Sequence, residues 1–291
     1  MSDIPTGSSP GLHTLARLAE AARPEVDASR VVAVFAHPDD ETIAAGAQLH
    51  RLKGLRLVVV TDGAPRDLRD AQAHGFEDAT SYAAARREEL AAALAAGGAG
   101  DLRVEFLNIP DQGVAHALAN VSRRLVAALG DAEVVLTHVY EGGHPDHDGV
   151  AFAVHAAVAA LATQGRAIEV IEAPLYRLGR DDAFDPQDFD PIPGAVAVQL
   201  VLDPEEAARK ERMIAAHATQ RDTLAQFPVK AERFRKAPHY DFTEPANHGR
   251  LWYERFDWGL TGDQWRAKAR EALKELGLDK PPTPDATSSP G

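Results

Sequence analysis

An α/β fold built on a mostly parallel sheet, with helices on both of its faces, is predicted by two observations. The first is the run Val31-Val-Ala-Val-Phe35, whose uninterrupted apolar, β-branched character is that of a strand buried on both sides. The second is the rhythm that follows, in which similar short runs alternate with helical patterns of about 10–15 residues, the signature of βαβ units.

Taken in order, Leu12 to Ala22 reads as a short helix ahead of the first strand. Pro38 biases His37 toward an extended backbone, so the strand Val31 to Phe35 ends there and Thr42 to Leu52 reads as a helix. Strand Leu55 to Thr61, helix Thr80 to Ala96, strand Arg103 to Leu107 and helix Ala115 to Leu129 continue the alternation. Strand Glu133 to Thr137, helix His147 to Thr163 and strand Ile168 to Ile171 complete it. Residues 179–194 are rich in Asp, Pro and Gly and read as a loop. A strand, Ala195 to Leu202, and a long helix, Pro204 to Gln226, come next, and the aromatic, proline-containing stretch Arg233 to Trp258 is expected to wrap over the sheet. The domain organisation expected is a disordered N-terminus over 1–11, a catalytic core over 12–175, a C-terminal subdomain over 176–279 that completes the sheet and the pocket rim, and a disordered tail over 280–291.

Composition narrows the function. With 45% hydrophobic and 26% charged residues the chain has the make-up of an ordinary globular protein. Its formal net charge of −13 argues against a nucleic acid or an anionic membrane as partner, because both need clustered positive charge. The absence of cysteine excludes thiolate ligands, disulfides and cysteine nucleophiles, so any metal must be held by His, Asp or Glu. The first ten residues lack a basic and apolar signal pattern, and the apolar stretch Val150 to Ala162 is too short to span a bilayer. A cytoplasmic protein acting on a small molecule is expected, with a homo-oligomer left open.

The chemistry concentrates in two turns. Ala36-His-Pro-Asp-Asp-Glu41 follows one strand, and Glu141-Gly-Gly-His-Pro-Asp-His-Asp148 follows another, each before a helix. Open α/β sheets place their ligands at that edge. Two imidazoles and one carboxylate with an open position form the ligand set of catalytic zinc sites. His37 and Asp40, three residues apart across a turn, can face one ion, and His147 is the expected third ligand. Asp39 is then the base that takes a proton from water, and His144, facing the open side, the group that stabilises the oxyanion or protonates the leaving amine. Acidic residues also cap helix N-termini, which would account for Asp39, Asp40, Glu41, Asp146 and Asp148 singly. Capping does not account for two His-Pro-Asp turns at equivalent places.

Together the two motifs resemble the LmbE-like, or PIG-L, family of zinc-dependent N-acetylglucosaminyl deacetylases, over about residues 30–175. The resemblance implies a Rossmann-like sheet and hydrolysis of an N-acyl amino sugar, with His37, Asp40 and His147 as ligands to one Zn2+, Asp39 as base and His144 as the oxyanion-stabilising histidine. Ferrous iron remains compatible with a His and Asp set. Arg86-Arg-Glu-Glu89 is similar to the family's Arg-x-x-Glu and Leu107-Asn-Ile-Pro-Asp-Gln112 to its Pro-Asp loop, which makes Arg86 and Asp111, with Asp146, candidate substrate contacts. Asp62 lines the pocket or shapes its loop, and His138, His155, His217 and His248 are expected as core or surface histidines. In one respect the chain departs from family members acting on glucosaminyl-inositol: Gly142 stands where they often carry an aromatic residue. The C-terminal aromatics are read as core before sugar contacts. Two other functions fit less well: a phosphoesterase, which needs two metals and more cations, and a nucleotide-binding sheet, which needs a glycine-rich cradle in place of these carboxylates.

Overall fold

The computed structural model describes residues 9–279 except 193, 194 and 196. The expectation of disorder over 280–291 lies outside that range, as do residues 1–8 of the N-terminal segment.

The chain runs α1 (Pro10–Ala19), the two-residue strand β1 (Val26–Asp27), β2 (Val31–Phe35), α2 (Asp40–Ala45), a short β3 (Leu52–Lys53) and β4 (Arg56–Pro65). Helices α3 (Arg69–Ala73) and α4 (Ala79–Ala96) lead to β5 (Arg103–Asp111), α5 (Leu118–Ala128), β6 (Val134–His138), α6 (Pro145–Ala162) and β7 (Glu169–Ala173). A hairpin, β8 (Tyr176–Leu178) and β9 (Phe184–Pro186), precedes β10 (Ala197–Val201), α7 (Pro204–Ala216), α8 (Arg221–Leu224), β11 (Ala231–Lys236) and α9 (Gly262–Leu276). The central sheet has seven strands in the order β10-β11-β7-β6-β2-β4-β5. Its five strands from β7 to β5 are parallel, while β11 pairs antiparallel with both β7 and β10. The α/β class and mostly parallel sheet expected from the alternation are what the structure contains.

Every residue of β2 is buried, as a strand covered on both faces must be. One apolar layer joins the sheet to α5, α6 and α9, through Leu125, Phe152, Val154 and Trp265. The other joins it to α1, α2, α4 and α7, through Leu15, Ile43, Leu90 and Met213. After β2 the chain moves outward through β4 and β5, then returns to the opposite side of β2 as β6. Strand order therefore reverses between β2 and β6, where an open α/β sheet forms its ligand crevice. Among the described residues, no helix is long and apolar enough to cross a membrane.

Several elements depart from their expected bounds. The helix expected over Thr42 to Leu52 is only Asp40–Ala45. Its next backbone bond would run from the Ala47 N–H to the Ile43 carbonyl, but Ala47 donates to Glu232 Oε1 at 2.9 Å instead. Lys210 Nζ at 2.6 Å and Gln187 Nε2 at 2.8 Å donate to the Ile43 carbonyl. Distant residues thus end the helix. The helix expected from Pro204 to Gln226 breaks at His217, whose Nε2 lies 3.3 Å from Thr42 Oγ1. The loop expected over 179–194 contains part of the β8–β9 hairpin. Helix α9, with a capping box of Thr261 and Gln264, was not anticipated from the sequence.

Two stability predictions follow from buried charge. Lys210 and Glu232 form a fully buried pair at 2.9 Å. Lys210→Met, which strands the Glu232 carboxylate, should cost about 3–5 kcal/mol in urea unfolding, and Lys210→Met with Glu232→Gln should cost less than the single change. His155, packed against Tyr240 and Phe242 and with a partnerless Nε2, is pushed down to about 4 by burial, with His239 adding to the shift. Because its folded pKa lies below its unfolded value, its contribution is complete above about pH 6.5 and is lost as pH falls toward about 4. The urea midpoint of His155→Gln should fall less across that window than that of the parent.

Candidate metal centre

Both motif turns lie at the carboxyl ends of adjacent strands. Strand β2 pairs with β6 in the register Val31 to Val134, Val32 to Val135 and Ala33 to Leu136, so the residues after Phe35 and after His138 emerge side by side. Asp40 and Glu41 begin α2, and Asp40 Oδ2 accepts the His37 backbone N–H at 2.7 Å, which folds the turn back on itself. The second helix starts earlier than expected. His144 is its N-cap, Pro145 takes the first helical position, and His147 lies in the first turn rather than at the start.

Side chains of three residues in these turns face one point. His37 Nδ1 lies 3.1 Å from His147 Nε2 and 3.3 Å from Asp40 Oδ2, and His147 Nε2 lies 3.2 Å from Asp40 Oδ1. Ligand atoms about 2.1 Å from a tetrahedral ion stand roughly 3.4 Å apart, so the spacing and the donor types both fit a divalent cation. All three residues are buried. Burial alone pushes the Asp40 carboxyl up, but His147 and His37 outweigh it and hold Asp40 well below the carboxylate range. The Asp40 carboxylate is therefore kept ionised.

Other predicted residues surround this set. Asp39 Oδ2 accepts from Arg86 Nη2 at 2.6 Å, while no protein hydrogen bond reaches its Oδ1 among the described residues. Burial raises the Asp39 pKa, and Arg86 opposes the shift. His144 has its ring centroid 4.6 Å from that of His37, and its Nδ1 accepts the Asp146 N–H at 3.1 Å. That bond leaves the neutral-ring proton on Nε2. Burial, reinforced by His37 and His147, holds the His144 pKa well below its ordinary value.

Each of the three candidate substrate contacts has protein partners of its own. Arg86 is buried, with one guanidinium nitrogen on Asp39 and another on the Gly63 carbonyl at 2.6 Å. It holds the Asp39 carboxylate and leaves only Nε without a partner. Asp111 Oδ1 lies 3.1 Å from His37 Nε2, a carboxylate behind a candidate ligand histidine. Asp146 is wholly buried and accepts the backbone N–H groups of Gln112 at 2.6 Å and Val114 at 2.9 Å. It pins the 112–114 loop to α6. Asp62 shapes its own loop, pairing with Arg66 at 2.5 Å.

Sequence reasoning set aside one histidine that the structure brings to the centre. His138 is stacked on His147 with ring centroids 4.3 Å apart, and its Nε2 lies 3.4 Å from Asp40 Oδ2 while accepting the Ala36 N–H at 2.8 Å. Burial, with His147 adding to it, pushes His138 down to about 4, so it is neutral. Its place as the last residue of β6, at the ligand-bearing end of the sheet, was the available signal. Tyr176 was also missed; its ring packs against His147 at 5.4 Å. Among the described residues, the groups of side chains close enough together to hold a metal are His37 with His144 and His147, Asp40 with His138 and His147, and His37 with Asp111 and Asp146, so His37, Asp40 and His147 each belong to at least one but not all to the same one.

Fold and site together define an α/β protein with a buried cluster of His and Asp, of a composition able to hold a metal, at its topological switch point. Residues 32–158 match the family model described as PIG-L: GlcNAc-PI de-N-acetylase, the family that the two motifs resemble. Solved structures support the fold. The A40926 pseudoaglycone deacetylase is 21% identical with a TM-score of 0.54, over 74% of this chain and 99% of that one. A teicoplanin-pathway deacetylase is 18% identical with a TM-score of 0.55, over 73% and 99%. A zinc-inhibited form of the teicoplanin deacetylase is 17% identical with a TM-score of 0.54, over the same shares. A search of curated proteins found no match to the chain.

Zinc titration followed by metal analysis should find one ion per chain in the parent and none retained by His147→Ala. Asp111→Asn should keep the stoichiometry but weaken binding about 10–100-fold, as expected when the partner behind a ligand histidine is removed.

Proposed function

We propose that this protein is a metal-dependent amidohydrolase that removes the acetyl group from an N-acetylated amino sugar or glycoconjugate, with zinc as its ion. The observation that carries the reading is the convergence of His37, Asp40 and His147 beside an arginine-held carboxylate and a histidine with a free N–H. The matching family and the deacetylases of similar fold support it.

A divalent ion held by these three residues supplies Lewis acidity, which acidifies water and polarises an amide carbonyl. The remaining steps are assigned to side chains. Asp39 receives the proton of the attacking water on Oδ1, since Arg86 occupies Oδ2 and fixes the carboxylate plane. Burial that raises its proton affinity suits a base working near neutral pH. His144 presents Nε2–H to the oxygen that becomes negative, its tautomer set by the Asp146 N–H on the opposite nitrogen. Asp39 then returns its proton to the amine as the C–N bond breaks, releasing acetate and the amino sugar.

A phosphate ester fits less well. Arg86 is the cation at the cluster, it already pairs with Asp39, and the carboxylates of Asp39, Asp40 and Asp111 would repel a phosphoryl group.

Acetate release from N-acetylglucosamine, its oligomers and its glycosides tests the reading with zinc-loaded protein. Asp39→Asn should retain its metal and lose about 10²-fold or more in kcat. Turnover surviving in that variant removes Asp39 from the role of base. Phosphate-ester cleavage without acetate release overturns the deacetylase reading.

A further inference from the structure

At the edge of the sheet away from the metal centre, charge reverses sign. A cavity of about 510 Å³ is lined there by Arg23, Arg51, Lys53, Arg209 and Arg212, and Glu25 is the one acid among the described residues that line it. The chain as a whole carries a formal net charge of −13. Arg23 follows α1, Arg51 and Lys53 lie at β3, and Arg209 and Arg212 stand three residues apart on α7. Lys53 precedes β4, and the end of α4, which also lines the cavity, precedes β5. The cavity therefore lies at the amino ends of the parallel strands, and the His and Asp cluster at their carboxyl ends.

The fold uses the hydrogen-bond donors of these side chains more fully than it neutralises their charge. Arg51 is buried, and its guanidinium donates to the carbonyls of Arg17, Leu18 and Pro24 and to the Gln48 side chain. It holds the end of α1, with no carboxylate among these partners. Arg23 Nε pairs with Glu206 at 2.9 Å. Lys53 reaches Glu25 at 3.5 Å and Arg209 reaches Glu205 at 3.1 Å, but both acids stand mostly in solvent, where such pairs are weak. Arg212 is exposed and has no ion pair among the described residues. The cations consequently act on one another. Burial, and after it Arg23, lowers the Arg51 pKa. Burial, then Arg209 and Arg51, lowers that of His50, which also lines the cavity. Cations near the last turn of α4 oppose its dipole favourably, which accounts for the exposed members of the set. It does not account for a buried guanidinium that touches no carboxylate. Like charges gathered from distant segments around one cavity are relieved by an anion inside it.

We propose that this cavity is a second binding site, separate from the metal centre, for a small molecule carrying two or more phosphate groups. Four of its five cations are arginines, whose forked guanidinium matches phosphate oxygens in pairs. The volume far exceeds a single phosphate ion and lies in the range of sites for small organic ligands. The end of α4, from Ala95 to Gly98, supplies the opposite wall, and the last carbonyls of a helix are acceptors for hydroxyl or amino groups. The phosphates are thus assigned to the side of β3 and α7, and the organic body to the end of α4.

Titration calorimetry on full-length, zinc-loaded protein tests this with fructose 1,6-bisphosphate, adenosine diphosphate and orthophosphate. At least one of the two organic ligands should bind once per chain, about tenfold or more tightly than orthophosphate, and its affinity should fall as salt rises. The tighter of the two identifies the organic body as a sugar or a nucleoside. Arg212→Glu and Lys53→Glu, both at exposed positions, should each weaken that ligand about tenfold or more while keeping the parent's urea midpoint, and Arg212→Lys should retain most of the affinity. His147→Ala should bind it as the parent does. Absence of binding by both organic ligands at millimolar concentration overturns the site, as does orthophosphate binding as tightly as either. Binding that is lost in His147→Ala and kept in Arg212→Glu places the anion at the metal centre and overturns the second site.

Discussion

The pairing of β2 with β6 is the constraint on which the site depends. These strands are separated by about a hundred residues, yet their parallel register brings the turn after Phe35 against the turn after His138. Parallel neighbours present the same end of each strand to the same edge of a sheet, so two turns of similar sequence become two halves of one cluster. The reversal of strand order at this point keeps the crevice open, because β4 and β5 lie to one side and β7 and β11 to the other. A sheet winding in one direction only would cover one turn with the next crossover.

The C-terminal part of the chain acts on the same turns from behind. Lys210, Glu232 and Gln187 take over the backbone groups at the end of α2, and His217 reaches Thr42 in its middle. The helix that carries Asp40 in its first turn is thus held by residues from α7, β11, the residue after the hairpin and the break after α7. Such buried polar partners rarely increase stability over apolar replacements; they define one geometry. Here that geometry is the direction in which Asp40 points.

Much of this was legible in the sequence, and the limits are physical. Strand β2 was readable to the residue because its two-sided burial demands an unbroken apolar run, and the paired His-Pro-Asp turns identified the residues that converge. The end of α2 was not readable, since Thr42 to Leu52 keeps acceptable helix formers and the competing partners come from residues about 145–190 positions away. Arg86 and Asp146 carried the right polarity for a substrate contact, but their hydrogen bonds are satisfied by Asp39, Gly63 and the 112–114 loop. Composition cannot tell which side of a polar residue faces a cleft. His138 likewise looked like a core histidine, and it is buried as one, yet its neighbours are Asp40 and His147.

Charge balance explains why so many acids gather around so few atoms. Asp39, Asp40, Asp111 and Asp146 are brought together below a largely closed surface with one guanidinium, that of Arg86, among them. Buried carboxylates in excess of cations are costly, and the available remedies are protonation, hydrogen bonding or a bound cation. Asp146 takes the second, through two backbone N–H groups. Asp39 takes the first in part, its proton affinity raised by burial against the pull of Arg86. Asp40 takes neither course to completion, because the histidines around it keep it ionised while His138, accepting the Ala36 N–H at the nitrogen nearest to it, has no proton there to share. The remaining negative charge sits where His37 and His147 turn ring nitrogens toward the same point, which is the arrangement a divalent cation satisfies and a proton does not.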